Sequence, residues 1–410
     1  MPRTNWAGNV TFGAEQILRP DSVARLRRQV ADNAKVRAVG AGHSFSPVAD
    51  TTGALISLDD LPATVRIDPE RQTVTAPASI RYGALAARLD AAGYALPNLA
   101  SLPHISVAGA CATGTHGSGD GNRALACAVR ATDLVTADGE LATIDRDTHR
   151  AEFSGMVTAL GALGIVTSVT LDLVPAFTVR QWVYDDLPRR RLEADFAEIF
   201  ASAYSVSVFT DWRLPGTVRV WRKQTTAAIP PQRWLDARLA AAQLNPVPGM
   251  DPGNTTAQLG VPGPWHERLP HFTAEGTPSS GDELQSEYLV PREHAVEALA
   301  ALAPIADRIA NVLRISEIRT VAGDDLWLSP CYRRDSAGIH FTWRKDPANV
   351  IPVLEAIEER LAPFAARPHW GKVFVMSPAE LYPRLADFEQ LRARYDPAGK
   401  FRNDFTKLGV

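Results

Sequence analysis

Apolar positions along the first part of the chain switch between helical and extended spacing. Val23, Leu26 and Val30 follow Pro20-Asp21-Ser22 at the interval of one helix face, predicting an amphipathic helix that runs to the polar Ala31-Asp32-Asn33. Val36–Val39 then predicts a strand, which delivers the turn Gly40-Ala41-Gly42-His43-Ser44, where two glycines permit a tight backbone path. Strands are expected around Leu55–Leu58 and Thr73–Ala76, and a helix over Tyr82–Ala92 with Leu85 and Leu89 inward. Ala128–Thr136, the turn Asp138-Gly139 and Leu141–Ile144 read as a hairpin, and Ile165–Leu173 as a further strand approached through Gly161 and Gly164. A first domain of mixed helix and strand thus ends near Pro175.

From Phe177 the texture changes. Aromatic-rich strands are expected at Gln181–Tyr184, Val206–Trp212 and Val218–Trp221, with one helix over Leu192–Tyr204 between the first two. The interval Ala227–Glu283 is rich in Pro, Gly and polar residues and too long for a simple connection, so it reads as a functional loop region. Patterning resumes with a strand at Ser286–Val290, a helix at Arg292–Leu302, and strands at Leu313–Thr320 and Gly338–Arg344. It ends in a helix over Val350–Leu361 with core spacing at Val350, Val353, Leu354, Ile357 and Leu361.

Strand alternation picks out candidate chemistry. Glu317 and Arg319 are two apart, as are His340 and Thr342, so each pair projects to one face. Opposite His340 and Thr342 stand Ile339, Phe341 and Trp343, a core-like set. The polar side then lines either a cavity or the wet face of an antiparallel sheet, the second being the commoner outcome for this pattern. Lys372 precedes an apolar run, a place that suits a partly buried amine of perturbed pKa or a snorkelling surface lysine. His43 is flanked by small residues that leave its ring room to meet a ligand. Between Ser106 and Ser118 almost no bulky side chain follows Val107, so backbone N–H groups are accessible to phosphate oxygens, although neither GxGxxG nor GK[ST] is present. His149, His266, His271 and His294 have no ligand-like spacing and are assigned no role.

Size and composition narrow the class. A chain of 410 residues exceeds what one core usually serves, and 45% hydrophobic with 22% charged residues is ordinary globular composition. A net charge of −3 argues against a nucleic-acid partner. No apolar run is long enough to span a membrane and the N-terminal segment lacks the pattern of a secretory signal, so a cytoplasmic enzyme is expected. Cys111, Cys127 and Cys331 are too far apart for a zinc or disulfide framework and read as buried thiols; no metal site is indicated.

The words Thr4–Asn9, Gly42–Phe45, Asn98–Gly109, Ala112–Gly119, Phe209–Trp212, Val261–Phe272, Glu317–Thr320, His340–Trp343 and Arg367–Phe374 resemble, end to end, the alditol oxidases of the vanillyl-alcohol-oxidase class of FAD enzymes. The resemblance implies an α+β, two-domain FAD-binding fold with an inserted α/β substrate (cap) domain: residues 1–177 bind FAD, 178–372 bind substrate, and 373–410 return to the FAD domain. It implies FAD joined covalently to a nitrogen of His43. Around that FAD it places Val39, Gly40, Ala41, Gly42, Ser44, Ser101, Ser106, Gly109, Thr115, His116, Gly117, Ser118, Val166 and His369. Ser101, Glu317, Arg319, His340, Thr342 and Lys372 match the family's substrate contacts, with Arg319, Lys372 and Glu317 the expected catalytic set. The implied reaction oxidises the terminal (C1) hydroxyl of a sugar alcohol such as xylitol or sorbitol to the aldose, by hydride transfer to flavin N5, with O2 reduced to hydrogen peroxide. The proton acceptor stays open among Lys372, His340 and water, and a monomer is expected. Ala110-Cys111 departs from the family's serine followed by a small apolar residue. Cys111 is read as a small buried hydrophobe rather than a second flavin tether. Two other readings stand beside this one: an aldonolactone oxidase or dehydrogenase of the same fold, and a flavin-binding protein without turnover.

Overall fold

The computed structural model describes residues 4–276 and 281–407. Parts of three expectations, the FAD domain at 1–3, the loop region at 277–280 and the C-terminal return at 408–410, therefore lie outside the described residues. Near the N-terminus, Gln16–Leu18, Ala54–Ser57 and Val36–Val39 form a parallel sheet with Ala54–Ser57 central and wholly buried. The helix Val23–Asp32 covers it. Ser22 caps that helix by accepting from the Arg25 N–H, and Leu26 and Val30 pack with Val36, Ala54 and Ile56. A five-stranded antiparallel sheet follows, in the order Arg66–Asp68, Thr73–Pro77, Ile165–Asp172, Val129–Val135, Leu141–Asp145. The expected hairpin is present: Val129–Val135 pairs with Leu141–Asp145 around Gly139, whose φ of +85° a residue with a Cβ adopts only under strain. Helix Tyr82–Ala91 buries Leu85 and Leu89 against the same core as Val74 and Ala76.

The larger sheet has ten strands among the described residues. At its centre Ser205–Thr210, Leu313–Val321, Ser336–Arg344 and Glu283–Pro291 run antiparallel in that order. Register sets Glu317 opposite His340, and His340 opposite Glu287. Ile318, Ile339, Phe341 and Trp343 face a core completed by helices Ala295–Leu302, Ala306–Val312 and Pro347–Leu361. The opposite face turns toward the N-terminal sheets and is buried as well. Val373 and Met376 still pack on the core of the large sheet, and farther on the chain packs on the N-terminal half: Phe388 and Leu391 join the core of Leu85, and Phe401 joins that of Leu26. No helix among the described residues is long and apolar enough to cross a membrane. The architecture is the expected α+β arrangement.

Two local expectations are corrected. The single helix over Leu192–Tyr204 is two short helices, Arg189–Ala194 and Phe196–Ala201, meeting at Asp195 with φ −117° and ψ 25°. Asp competes poorly with alanine for helical geometry, while the break still lets Leu192, Phe196, Ile199 and Phe200 bury together. The strand expected from Ser286 starts three residues earlier, at Glu283. Glu283 and Gln285 look like loop residues in sequence, yet both are buried, because their face covers a cavity instead of meeting solvent.

Trp343 is fully buried, stacks on Phe341 with ring centroids 4.9 Å apart, and donates its indole N–H to Ser286 Oγ at 3.1 Å. Trp343→Ala is expected to destabilise the fold by about 3–5 kcal/mol. An unchanged chemical-denaturation midpoint would contradict this packing.

Candidate active site

One cavity of about 650 Å³ is lined from both sheet systems. Its N-terminal wall is built on strand Val36–Val39, anchored by the buried Arg37. That guanidinium donates to the carbonyls of Phe401 at 2.7 Å, Gly161 at 3.1 Å and Leu160 at 2.6 Å, and also to that of Val48. The following turn takes Gly42 into the left-handed region at φ +69°. It passes so close to the start of helix Val107–Ala112 that a Cβ on Gly40 would overlap Ser106 Oγ. This wall is therefore largely bare backbone: Val39–Ser44, Ser106, Gly109, Thr113 and Thr115. His43 stands at its edge, stacked on Trp6 at 4.7 Å between centroids, with Nδ1 3.4 Å from Ala41 O. Burial pushes the His43 pKa down to about 4, so the imidazole is neutral and keeps a lone pair at neutral pH.

The opposite wall is the polar face of the large sheet. Arg319 donates to Glu287 Oε1 at 2.6 Å and to Ser101 Oγ at 3.4 Å, and its Nε lies 3.7 Å from Glu317 Oε1. Glu287 is also 3.3 Å from His116 Nε2 and 3.6 Å from His340 Nδ1. Burial alone would raise the Glu287 carboxyl, but Arg319 and the two histidines outweigh it and hold the group well below the ordinary carboxylate range. Burial would likewise lower Arg319, and Glu287 with Glu317 keeps it above its usual value. His340 has Nε2 3.2 Å from Thr342 Oγ1, and burial lowers its pKa. Lys372 donates to Gln285 Oε1 and lies 5.3 Å above the Phe45 ring; burial pulls its pKa down to about 8. His369 is buried 6.0 Å from His116 between ring centroids, and its Nδ1 accepts the Gly371 N–H at 3.0 Å.

Of the residues singled out in sequence, Ser101, Glu317, Arg319, His340, Thr342 and Lys372 line this cavity together with His43, Val39–Ser44, Ser106, Gly109, Thr115, His116, Val166 and His369. Gly117 and Ser118 do not. After His116 the chain turns away: a Cβ on Gly117 would collide with Leu99 O, and the Ser118 hydroxyl donates to Val206 O. Sequence reasoning missed Gln285, Glu287 and His271, which also line the cavity. The first two carry a period-2 signal with Glu283; His271 carries none, because a long irregular segment delivers it.

The arrangement is a side-chain-free cradle facing a wall of ionised and hydroxyl-bearing groups. The cradle suits a dinucleotide whose phosphates approach backbone N–H groups. His116 Nε2, His340 Nδ1 and Arg319 Nε are buried without a hydrogen-bond partner among the described residues, which leaves polar capacity for bound molecules. The fold is that of the vanillyl-alcohol-oxidase class of FAD enzymes. A model described as "FAD binding domain" matches residues 14–145, and one described as "D-arabinono-1,4-lactone oxidase" matches residues 282–408. A solved structure of a solvent-stable cholesterol oxidase superposes with a TM-score of 0.80 over 99% of this chain and 97% of that one, at 16% identity. The chain is 53% identical to an alditol oxidase from a Streptomyces species over 98% of both, and 28% identical to an L-gulono-1,4-lactone dehydrogenase of Mycobacterium tuberculosis over 98% of both. It belongs to the alditol oxidase family.

Proposed function

We propose that the chain oxidises the terminal hydroxyl of an open-chain sugar alcohol such as xylitol or sorbitol, using FAD tethered covalently to His43 and O2 as electron acceptor. The observation that carries this reading is the polar wall of buried Glu317, Arg319 and His340 and half-buried Thr342 and Lys372, facing a bare-backbone cradle within one cavity. A polyol brings many hydroxyls and no charge, so its recognition calls for several placed donors and acceptors. Glu317 accepts, while Ser101, Thr342 and His340 both donate and accept. When bound, FAD supplies the hydride acceptor and hands two electrons on to O2, giving hydrogen peroxide. In this reading residues 1–177 and 373–410 hold FAD with the help of His369 from the intervening segment, and residues 178–372 hold the polyol with the help of Ser101.

Oxidation builds negative charge on the reacting oxygen as its proton leaves. Arg319 stabilises that charge; Glu287 already fixes its guanidinium, so little reorganisation accompanies the reaction. Lys372 Nζ takes the hydroxyl proton. Arg319 has no lone pair to offer and burial makes His340 a weak base, whereas an amine with a pKa of about 8 switches state close to the working range. A second reading, lactone oxidation, is favoured by the match of residues 282–408 to the D-arabinono-1,4-lactone oxidase model.

The deciding experiment is the visible spectrum of oxygen-free holoprotein before and after addition of xylitol or L-gulono-1,4-lactone. Xylitol is expected to bleach the flavin bands and the lactone to leave them; bleaching by the lactone alone would replace the polyol assignment. His43→Ala is expected to release its flavin into the supernatant on acid precipitation, and a yellow pellet would remove His43 as the tether. With xylitol saturating, the rate of flavin reduction should rise with pH and level off above about 8, as the neutral amine of Lys372 accumulates. Lys372→Met should lower that rate by about 100-fold or more and abolish the pH limb; a wild-type rate that falls across the same range would mean that the ammonium, not the amine, is the working form.

A further inference from the structure

Behind the polar wall lies a buried cation that the proposed reaction does not use. Lys223, on strand Thr217–Gln224, is 1% exposed, so its amine never reaches water. Nζ donates to Leu269 O, to Pro270 O at 3.0 Å and to His271 Nδ1 at 3.0 Å. Three acceptors match the three N–H bonds of an ammonium. Its strand neighbours in register, Gln181 and Ser205, are neutral. The charged groups facing it are Glu317 and Arg319, and burial pushes its pKa down to about 7.

His271 is the next link. Burial, then the Lys223 charge, lowers its pKa to about 4, so the ring carries a single proton at neutral pH. Nε2 faces the ionised Glu317, which can only accept, and Nδ1 faces the Lys223 amine, so the proton is on Nε2 and the lone pair on Nδ1. Nε2 points at Glu317 Oε1, 2.8 Å away, with Ser207 Oγ at 3.4 Å. Phe209 and Trp221 box the ring edge-on at 5.5 and 5.2 Å between centroids, holding its plane. Glu317 Oε1 is thereby engaged by His271 and faces Arg319 Nε at 3.7 Å. Among the described residues no protein donor hydrogen-bonds Oε2.

We propose that Lys223 and His271 are positioning residues that lock the tautomer and orientation of the Glu317 contact, so that Glu317 presents one fixed, ionised acceptor oxygen to a substrate hydroxyl. The inference deepens the alditol reading and rests on it. It assigns the relay a specificity role. An ionised carboxylate oxygen rewards a hydroxyl that donates, and repels the ring or carbonyl oxygen that a lactone offers at the same point. A neutral apolar residue at Lys223 would fill the space but leave Nδ1 without its donor, so the ring that engages Glu317 Oε1 would no longer be held from behind.

The test uses holoenzyme, with anaerobic flavin reduction followed against xylitol concentration to separate the half-saturating concentration from the limiting rate. His271→Asn and Lys223→Met are each expected to raise the half-saturating concentration by about tenfold, the scale of a lost hydrogen bond to a charged group. The limiting rate should stay within about threefold and the flavin content should not change, because neither residue touches the reacting carbon. Combined with Glu317→Gln, each should add less than about a further twofold, because both act through that carboxylate. Losses that multiply in the double variants, or single variants that saturate like wild type, would overturn the relay. If Lys223→Met does not retain flavin, His271→Asn, which leaves the lysine in place, decides the question with the same readout. Wild-type protein that xylitol fails to reduce would overturn the alditol reading and the relay together; wild-type protein reduced normally, with losses that multiply, would overturn the relay alone.

Discussion

A buried guanidinium costs several kcal/mol unless carboxylates surround it, and the pairing of Arg319 with Glu287 meets that cost. The two residues sit on different strands. They meet because Ser336–Arg344 lies between Leu313–Val321 and Glu283–Pro291, with His340 opposite both Glu317 and Glu287. A slip of one residue in either pairing would turn Arg319 or Glu287 into the apolar core and bring Ile318 or Tyr288 into the cavity. The large sheet is therefore held in register from both faces: aromatic packing around Trp343 on one, charge pairing on the other. In the proposed reaction that rigidity would let a single cation meet developing negative charge without rearranging.

The cradle obeys a complementary constraint. Where the large sheet contributes charge, the N-terminal wall contributes absence of side chains, and Gly40 and Gly42 are glycines because the turn between strand Val36–Val39 and His43 leaves no room for a Cβ at one and takes positive φ at the other. Arg37 draws residues 160–161 and the segment at Phe401 onto that strand, so the C-terminal part of the chain helps hold the turn that carries His43. A neutral, stacked imidazole beside a backbone-lined groove and a carboxylate-paired cation thus line one cavity, the arrangement on which the proposed flavin-dependent oxidation rests.

Much of the fold was legible from periodicity. The hairpin around Gly139, the helix over Val23–Asp32 and the strands carrying Glu317, Arg319, His340 and Thr342 follow from local patterns that tertiary structure leaves intact. Which face of the polar pairs met a cavity was not legible, because alternation reads the same on a wet sheet; the family resemblance supplied that choice. Glu287 and Gln285 escaped notice because the strand was read from Ser286 onward, which cut their period-2 pattern with Glu283, and Glu283-Leu284-Gln285 resembles the loop before it. His271 and Lys223 were invisible for another reason. Their meeting depends on a long irregular segment that no residue-level rule positions, and a buried lysine in a strand reads as a surface one until its acceptors are seen.

The most direct measurement is an electron-density map of the oxygen-free holoprotein crystal after brief exposure to xylitol. Continuous density between His43 and the flavin is predicted. The polyol should bridge Glu317 Oε2, Arg319 and Lys372, with its terminal carbon over the flavin ring. A polyol bound elsewhere, or a flavin detached from His43, would contradict this picture of the site.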